Sequence, residues 1–229
     1  MRPQSADPLL PDQARRPAGI VLACAALMLV AGAVFAYDQY ADPLDRWVGA
    51  WATSYLGQHS RVLQLAADLG QKLQVVVIVA VMVLLCLAAR RVNGAVLAAV
   101  STPGAAVATE KVLKPLAGHL YSYATYPSGH TTSVFAMIAT AAVLLAGAPA
   151  ARVRPAARIA IAAVAALIGC AVSIAVVALG EHRVIDTVGG AAVGISVVLT
   201  ATFLLDLPVS RRVLELAPLG RRRQEPDAA

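Results

Sequence analysis

Six runs of apolar residues, each near the length of a membrane-spanning helix, alternate with shorter polar segments along the 229-residue chain. A helix needs about 20 apolar residues to cross the hydrocarbon core of a bilayer. The second and third runs are short, and Arg90 and Arg91 between them predict a tight hairpin rather than one long helix. The pattern predicts an all-α bundle of six transmembrane helices. Its predicted spans are residues 18–37, 73–89, 92–109, 131–149, 159–179 and 187–205.

The composition excludes an ordinary soluble domain. Hydrophobic residues make up 59% of the chain and charged residues 14%, and the mean hydropathy is +0.71. Too few polar residues remain to cover the surface of a soluble six-helix core. The first run resembles a signal peptide, but its removal would leave five spans, a number that does not fit the charge distribution. All three cysteines lie in apolar runs, which predicts neither a disulfide framework nor a metal site, and no cofactor is predicted.

The basic residues are distributed by topology. Most of the 19 Lys and Arg residues lie before the first span, between spans two and three, between spans four and five, and after span six. The positive-inside rule then places both termini in the cytoplasm of a multi-pass plasma-membrane protein. The net charge of +6 therefore requires no nucleic-acid partner. We expect a cytoplasmic tail at 1–16, a membrane domain at 17–207 and a basic cytoplasmic tail at 208–229.

An interfacial helix is predicted between spans one and two. Trp47, Trp51 and Tyr55 are spaced four residues apart, so they share one face of a helix. Aromatic residues of this kind favour the boundary between lipid and water. This face either anchors the helix in the membrane or guides a lipid headgroup.

The predicted topology brings the polar residues of two outer segments, 110–130 and 180–186, to one face of the membrane. Three of the four histidines lie there, His119, His130 and His182, together with Asp186. Ionisable residues at membrane depth are costly, so such a cluster indicates a functional site.

The residue types in this cluster suit phosphoryl transfer. His182 and Asp186 are four residues apart, so on a helical turn the carboxylate can hold one imidazole nitrogen protonated and leave the other as a nucleophile or base. The stretch Pro-Ser-Gly-His, residues 127–130, precedes an apolar run. Its Ser128 suits a helix N-cap, Gly129 permits a close backbone approach, and the first helical N–H groups can bind an anion.

These two motifs resemble those of the type 2 phosphatidic acid phosphatase superfamily. The second family motif, Pro-Ser-Gly-His, matches at residues 127–130, and the third matches at its His-x-x-x-Asp end, His182 and Asp186. The resemblance implies a six-helix, metal-independent membrane enzyme that removes phosphate from lipids. By the same resemblance His182 is the nucleophile, Asp186 orients it, and His130 protonates the leaving oxygen. Ser128 and Gly129 bind phosphate oxygens.

The cationic residues of the family pattern are largely missing. Lys114 matches the lysine of the first motif, but the Arg-Pro that should follow falls on Tyr121 and Ser122. The Ser-Arg of the third motif falls on Ala175 and Val176. Loss of bidentate Arg contacts weakens phosphate binding unless other groups replace them. Two replacements are predicted from their proximity in sequence, His119 and Arg183.

The sequence thus predicts a membrane phosphatase acting on a lipid phosphate. We expect it to hydrolyse a polyprenyl (di)phosphate or a phosphatidic-acid-like lipid at the extracytoplasmic face, through a phosphohistidine intermediate. A non-catalytic relative that binds or moves phospholipid is the alternative, because the arginines are absent. A vanadate-dependent haloperoxidase, which shares the motif set, is a third. No oligomeric state follows from the sequence.

Overall fold

The computed structural model describes residues 8–37, 43–121, 125–148, 153–207 and 210. Within these residues the chain forms helices joined by short turns and contains no β-strand. Most of the two predicted tails, 1–16 and 208–229, lies outside the described residues. The helices are α1 (Asp12–Tyr37), α2 (Pro43–Leu56), α3 (Ser60–Asp68), α4 (Lys72–Ala88), α5 (Val92–Val107), α6 (Lys114–Tyr121), α7 (Gly129–Ala146), α8 (Pro155–Ala178) and α9 (Val184–Leu205).

The helices confirm the predicted all-α membrane fold. Five segments are long and apolar enough to cross a membrane by themselves, namely α1, Val92–His119, α7, α8 and α9. The helix α4 has only 17 residues. It becomes the sixth span when counted with the α2–α3 segment, to which it is joined at a bend of 42°. The predicted hairpin between α4 and α5 is also confirmed, and Arg90 adopts a left-handed conformation there with φ of 57°.

The third span is longer than predicted. It does not end near residue 109 but continues through a π-helical stretch, Ala108–Leu113, into α6, so residues 110–121 are helical rather than part of an outer loop. The π-helical stretch keeps the backbone hydrogen-bonded while it changes the direction of the side chains that follow. The segment packs because Ala117 is buried and α6 contacts α1. The polar residues of this segment are therefore held on a helix.

The centre of the bundle is the pair α7 and α9, which is flanked by α1, α5 and α8. Both helices begin at the same end of the bundle, and glycines of α9 let the two backbones approach. A Cβ at Gly194 would lie 2.6 Å from Thr132 O and 2.8 Å from Ala136 N. A Cβ at Gly190 would lie 2.5 Å from Ser128 O. The first turns of α7 and α9 are consequently direct neighbours.

The predicted interfacial helix corresponds to α2. Its inner face packs with α3 against the end of α8, where Ala52, Leu63 and Ala67 meet the buried residues Ala175–Ala178. On its other side Trp47, Trp51 and Tyr55 are 48 to 66% exposed. This exposed aromatic face is the one that the sequence predicts at the lipid–water boundary.

Candidate active site

His182 and Asp186 meet at the start of α9. His182 Nδ1 lies 3.4 Å from Asp186 Oδ2. Asp186 is fully buried, and the same oxygen accepts a hydrogen bond from Arg183 N at 2.9 Å and one from Thr125 Oγ1 at 3.4 Å. These bonds fix the carboxylate, so it can hold a proton on Nδ1 and leave Nε2 of His182 as a lone pair.

The backbone around His182 differs from the predicted helical turn. His182 precedes α9 and lies in the bend after α8, while Asp186 lies in the first turn of α9. The reason is that the Asp186 side chain accepts a hydrogen bond from Arg183 N and so caps the N-terminus of α9. The helix therefore begins after His182. The bend is anchored to α8, since Val176 O accepts from Glu181 N at 3.0 Å and from His182 N at 3.2 Å. The predicted pair forms, but across a helix cap.

Ser128 begins α7 as predicted. It is the N-cap residue, and its hydroxyl accepts a hydrogen bond from Thr131 N at 3.4 Å. Its own amide donates to Asp186 O at 2.9 Å, which ties the start of α7 to the first turn of α9. Ser128 is fully buried. The residue therefore joins the two motifs, and its contact with phosphate stays a prediction.

His130, in the first turn of α7, faces His182. The ring centroids are 6.5 Å apart, and the ring planes meet at 66°. Gly70, in the turn after α3, packs against His130, because a Cβ at Gly70 would lie 2.8 Å from the Cα of His130. The two imidazole rings are near enough to contact the same phosphoryl group from two sides.

Lys114 lies over the start of α7. Its Nζ is 2.6 Å from Glu110 Oε1, one helical turn earlier. A Cβ at Gly129 would collide with Glu110 Oε1 and lie 3.6 Å from Lys114 Nζ. The absence of a side chain at Gly129 thus lets both charged groups approach the helix N-terminus, where the first N–H groups have no partner within the helix.

The two predicted replacements for the missing arginines differ in position. Arg183 is the N-cap residue of α9, directly after His182. His119 is exposed near the end of α6, five residues after Lys114. Five residues correspond to about 140° around a helix, so the two side chains do not share a face. The role of His119 in phosphate binding stays a prediction.

Two carboxylates of the site did not follow from the sequence as functional residues. Asp45, at the start of α2, accepts a hydrogen bond from Val184 N at 2.7 Å. Asp45 gives no sequence signal because it is 139 residues from Val184. Glu110 did give a sequence signal, because it lies four residues before Lys114 and can pair with it on a helix.

The described part of the chain offers no site for a metal ion. None of its His, Cys, Asp and Glu side chains form a group of three or more that could hold a metal ion.

The arrangement of these motifs has a counterpart among known proteins. A sequence model of the PAP2 superfamily matches residues 98–206. The matched segment contains every residue that the sequence predicts at the site, from Lys114 to Asp186. Asp45 lies outside it.

The fold is similar to that of a solved membrane protein of the PAP2 type. That structure is described as the crystal structure of the first transmembrane PAP2 type phosphatidylglycerolphosphate phosphatase from Bacillus subtilis. The TM-score is 0.63 with 20% sequence identity, and the match covers 80% of this chain and 94% of that chain. No curated protein matches the sequence. At this identity the likeness shows the fold, and the chemistry is argued from the residues of this chain.

Proposed function

We propose that the protein is a lipid phosphatase in which His182 takes the phosphoryl group of the substrate. The observation that carries this proposal is the contact of His182 with the buried Asp186. The ring of His182 also lies 6.5 Å, between centroids, from the ring of His130 in the first turn of α7. The match of residues 98–206 to the PAP2 model and the likeness of the fold to that of a transmembrane PAP2 phosphatase support it.

The first step forms a bond between His182 Nε2 and phosphorus and breaks the bond between phosphorus and the lipid oxygen. Asp186 stabilises the positive charge that develops on the imidazole ring, because it accepts the hydrogen bond from Nδ1. His130 donates its proton to the leaving oxygen, which produces the lipid alcohol or, from a diphosphate, the lipid monophosphate.

The second step releases orthophosphate. His130, now neutral, removes a proton from water, and the water oxygen attacks the phosphorus of the phosphohistidine. The bond between Nε2 and phosphorus breaks, which restores His182 and protonated His130. Lys114 and the N-terminal amides of α7 stabilise the phosphate oxygens through both steps.

The substrate is a lipid phosphate that keeps its tail in the bilayer. Two features support this: the site lies at the ends of apolar helices, and α2, which carries the exposed aromatic face, contacts the start of α9 beside His182. We propose that this side is extracytoplasmic in the plasma membrane, since the basic segments lie between the other helix ends. Polyprenyl (di)phosphates, phosphatidic-acid-like lipids and phosphatidylglycerol phosphate are the candidates.

The test is orthophosphate release from these lipids by the purified protein in detergent, with and without a chelator. His182→Ala should lose at least about 10³-fold in kcat, because the nucleophile is removed. His59→Ala is the matched control, since His59 is exposed and lies in the turn between α2 and α3. A phosphohistidine at residue 182, trapped during turnover, should be stable to base and labile to acid.

A non-catalytic lipid-binding relative is the second candidate, favoured by the positions of the missing arginines. Ala175 and Val176 occupy the place of the third-motif Ser-Arg and are fully buried against α2 and α3. A folded His182→Ala variant that binds lipid phosphate as the wild-type protein does, with no phosphate released by either, would establish this second candidate.

A further inference from the structure

The start of α9 is capped by a residue from a distant helix. The first four amides of a helix have no partner within the helix. At α9 the amide of Arg183 donates to Asp186 Oδ2 at 2.9 Å, and the amide of Val184 donates to Asp45 Oδ1 at 2.7 Å. Asp45 belongs to the first turn of α2. One helix therefore supplies the N-terminal cap of another, two residues after His182.

Asp186 alone does not provide both bonds. Its Oδ2 is already in contact with His182 Nδ1, Arg183 N and Thr125 Oγ1. The two carboxylates stand close enough for the charge of Asp186 to act on Asp45. Two neighbouring carboxylates repel each other, so their proximity is costly unless the helix N-terminus and Arg183 offset it. This geometry favours a specific use for Asp45.

We propose that Asp45 is a positioning residue for His182, an inference that rests on the proposed function and extends it to the interfacial helix. The bond to Val184 N fixes the start of α9. Because Arg183 and the bend at His182 directly precede that start, the same bond holds the imidazole of His182 towards His130. The catalytic bend is thus held from two sides, by Val176 O of α8 and by Asp45 of α2.

The two faces of α2 then have distinct roles. Asp45, Val48 and Ala52 follow each other at helical spacing on the face towards the protein, and Ala52 is buried there. Trp47 and Trp51 are on the exposed face. The helix that carries the aromatic face thereby also carries the group that positions the nucleophile.

The test compares Asp45→Ala with Asp45→Asn, which keeps an acceptor oxygen. Asp45→Ala should lower kcat about 10- to 100-fold on the best lipid phosphate and leave KM unchanged, because the nucleophile is displaced while the phosphate-binding groups are intact. Asp45→Asn should restore most of the activity. Hydrogen exchange at the Val184 amide, resolved to single residues by mass spectrometry, should be about tenfold faster in Asp45→Ala.

The control is Asp12→Ala, which removes another first-turn aspartate, one whose side chain is 95% exposed at the start of α1. It should change neither kcat nor exchange at Val184. The proposal is overturned if Asp45→Ala keeps the wild-type kcat. It is also overturned if Asp45→Ala and Asp45→Asn lose activity equally with the same fall in unfolding temperature, since that pattern marks a structural role alone.

Failure of the proposed function would be visible separately. If the wild-type protein releases no phosphate from any lipid, the proposed function fails, and the reactivity of His182 towards diethyl pyrocarbonate then decides the positioning role. A changed rate of His182 modification in Asp45→Ala, with His59 as the internal reference, supports the role. An unchanged rate overturns it.

Discussion

The proposed nucleophile, His182, and the proposed phosphate-binding group, Lys114, are held in different ways. Asp186 is fully buried, and its oxygen is held by three neighbouring groups. The side chain of Lys114 is 22% exposed and that of its partner Glu110 is 46% exposed. The His182 region is therefore fixed by interior contacts from α2, α7 and α8, whereas the Lys114 region depends on one ion pair at the surface.

Under the proposed function, this difference would separate the group that reacts from the group that binds phosphate. A nucleophile must be oriented before the substrate arrives, and buried hydrogen bonds provide that orientation. Phosphate binding near the surface tolerates more variation, because solvent and a lipid tail that stays in the bilayer contribute to it. Of the two missing motif arginines, the one in the first motif falls at the end of α6, whereas the one in the third motif falls on the fully buried Val176, beside the His182 bend.

After His182 itself, the largest effect is expected at Asp186. Asp186→Ala should reduce kcat about 10²- to 10⁴-fold, because the tautomer and the orientation of His182 are lost together. KM should change little. In the double variant with His182→Ala the losses should not add, since the two residues act as a unit. Full additivity in steady-state assays would contradict the contact between them.

A smaller loss, in binding rather than chemistry, is expected at Lys114. Lys114→Ala should raise KM or the inhibition constant of orthovanadate about 10- to 100-fold, as a charged hydrogen bond contributes about 1.5–3 kcal/mol. Lys111→Ala, which removes an exposed lysine of the same helical segment, is the matched control. Equal effects of the two variants would show that the general positive charge of this segment attracts the phosphate, rather than a specific contact of Lys114 beside Gly129.

The close packing of α7 and α9 gives a third prediction. Gly194→Ala should destabilise the protein by about 1–3 kcal/mol, because the new methyl group meets the backbone of α7 rather than a flexible side chain. Gly19→Ala should not, because nothing lies within 4 Å of a Cβ at that position of α1. Unfolding temperatures in detergent measure both. Equal temperatures would mean that the two helices separate easily.

Much of the fold followed from periodicity and charge. The apolar runs predicted the spans because lipid imposes length and polarity on each one independently of its neighbours. The hairpin at Arg90 and the capping role of Ser128 also followed, since both are local features. The continuation of the third span through residues 110–121 did not, because its polar residues read as a loop while the packing that keeps them helical comes from α1.

The candidate site was predictable where its chemistry lies in short motifs. Ser128–His130, His182 and Asp186 came from two local patterns, and the structure brings these patterns together at one end of the bundle. Asp45 was not predictable, because its partner is a backbone amide on a helix far away in the sequence. A backbone donor has no residue-type signature, so only the fold reveals that contact.

The smallest expected effect is at Glu110, whose neutralisation should strengthen phosphate binding rather than weaken it. The carboxylate neutralises Lys114 and stands beside the helix N-terminus that is proposed to bind phosphate, so it opposes an incoming anion. Glu110→Gln should therefore lower KM and the inhibition constant of orthovanadate by about two- to fivefold, which corresponds to less than about 1 kcal/mol for a partly exposed pair. The measurement is a pair of titrations at fixed ionic strength. A rise in both constants would mean instead that Glu110 holds Lys114 in place, and the Lys114 region would then be as firmly built as the His182 region.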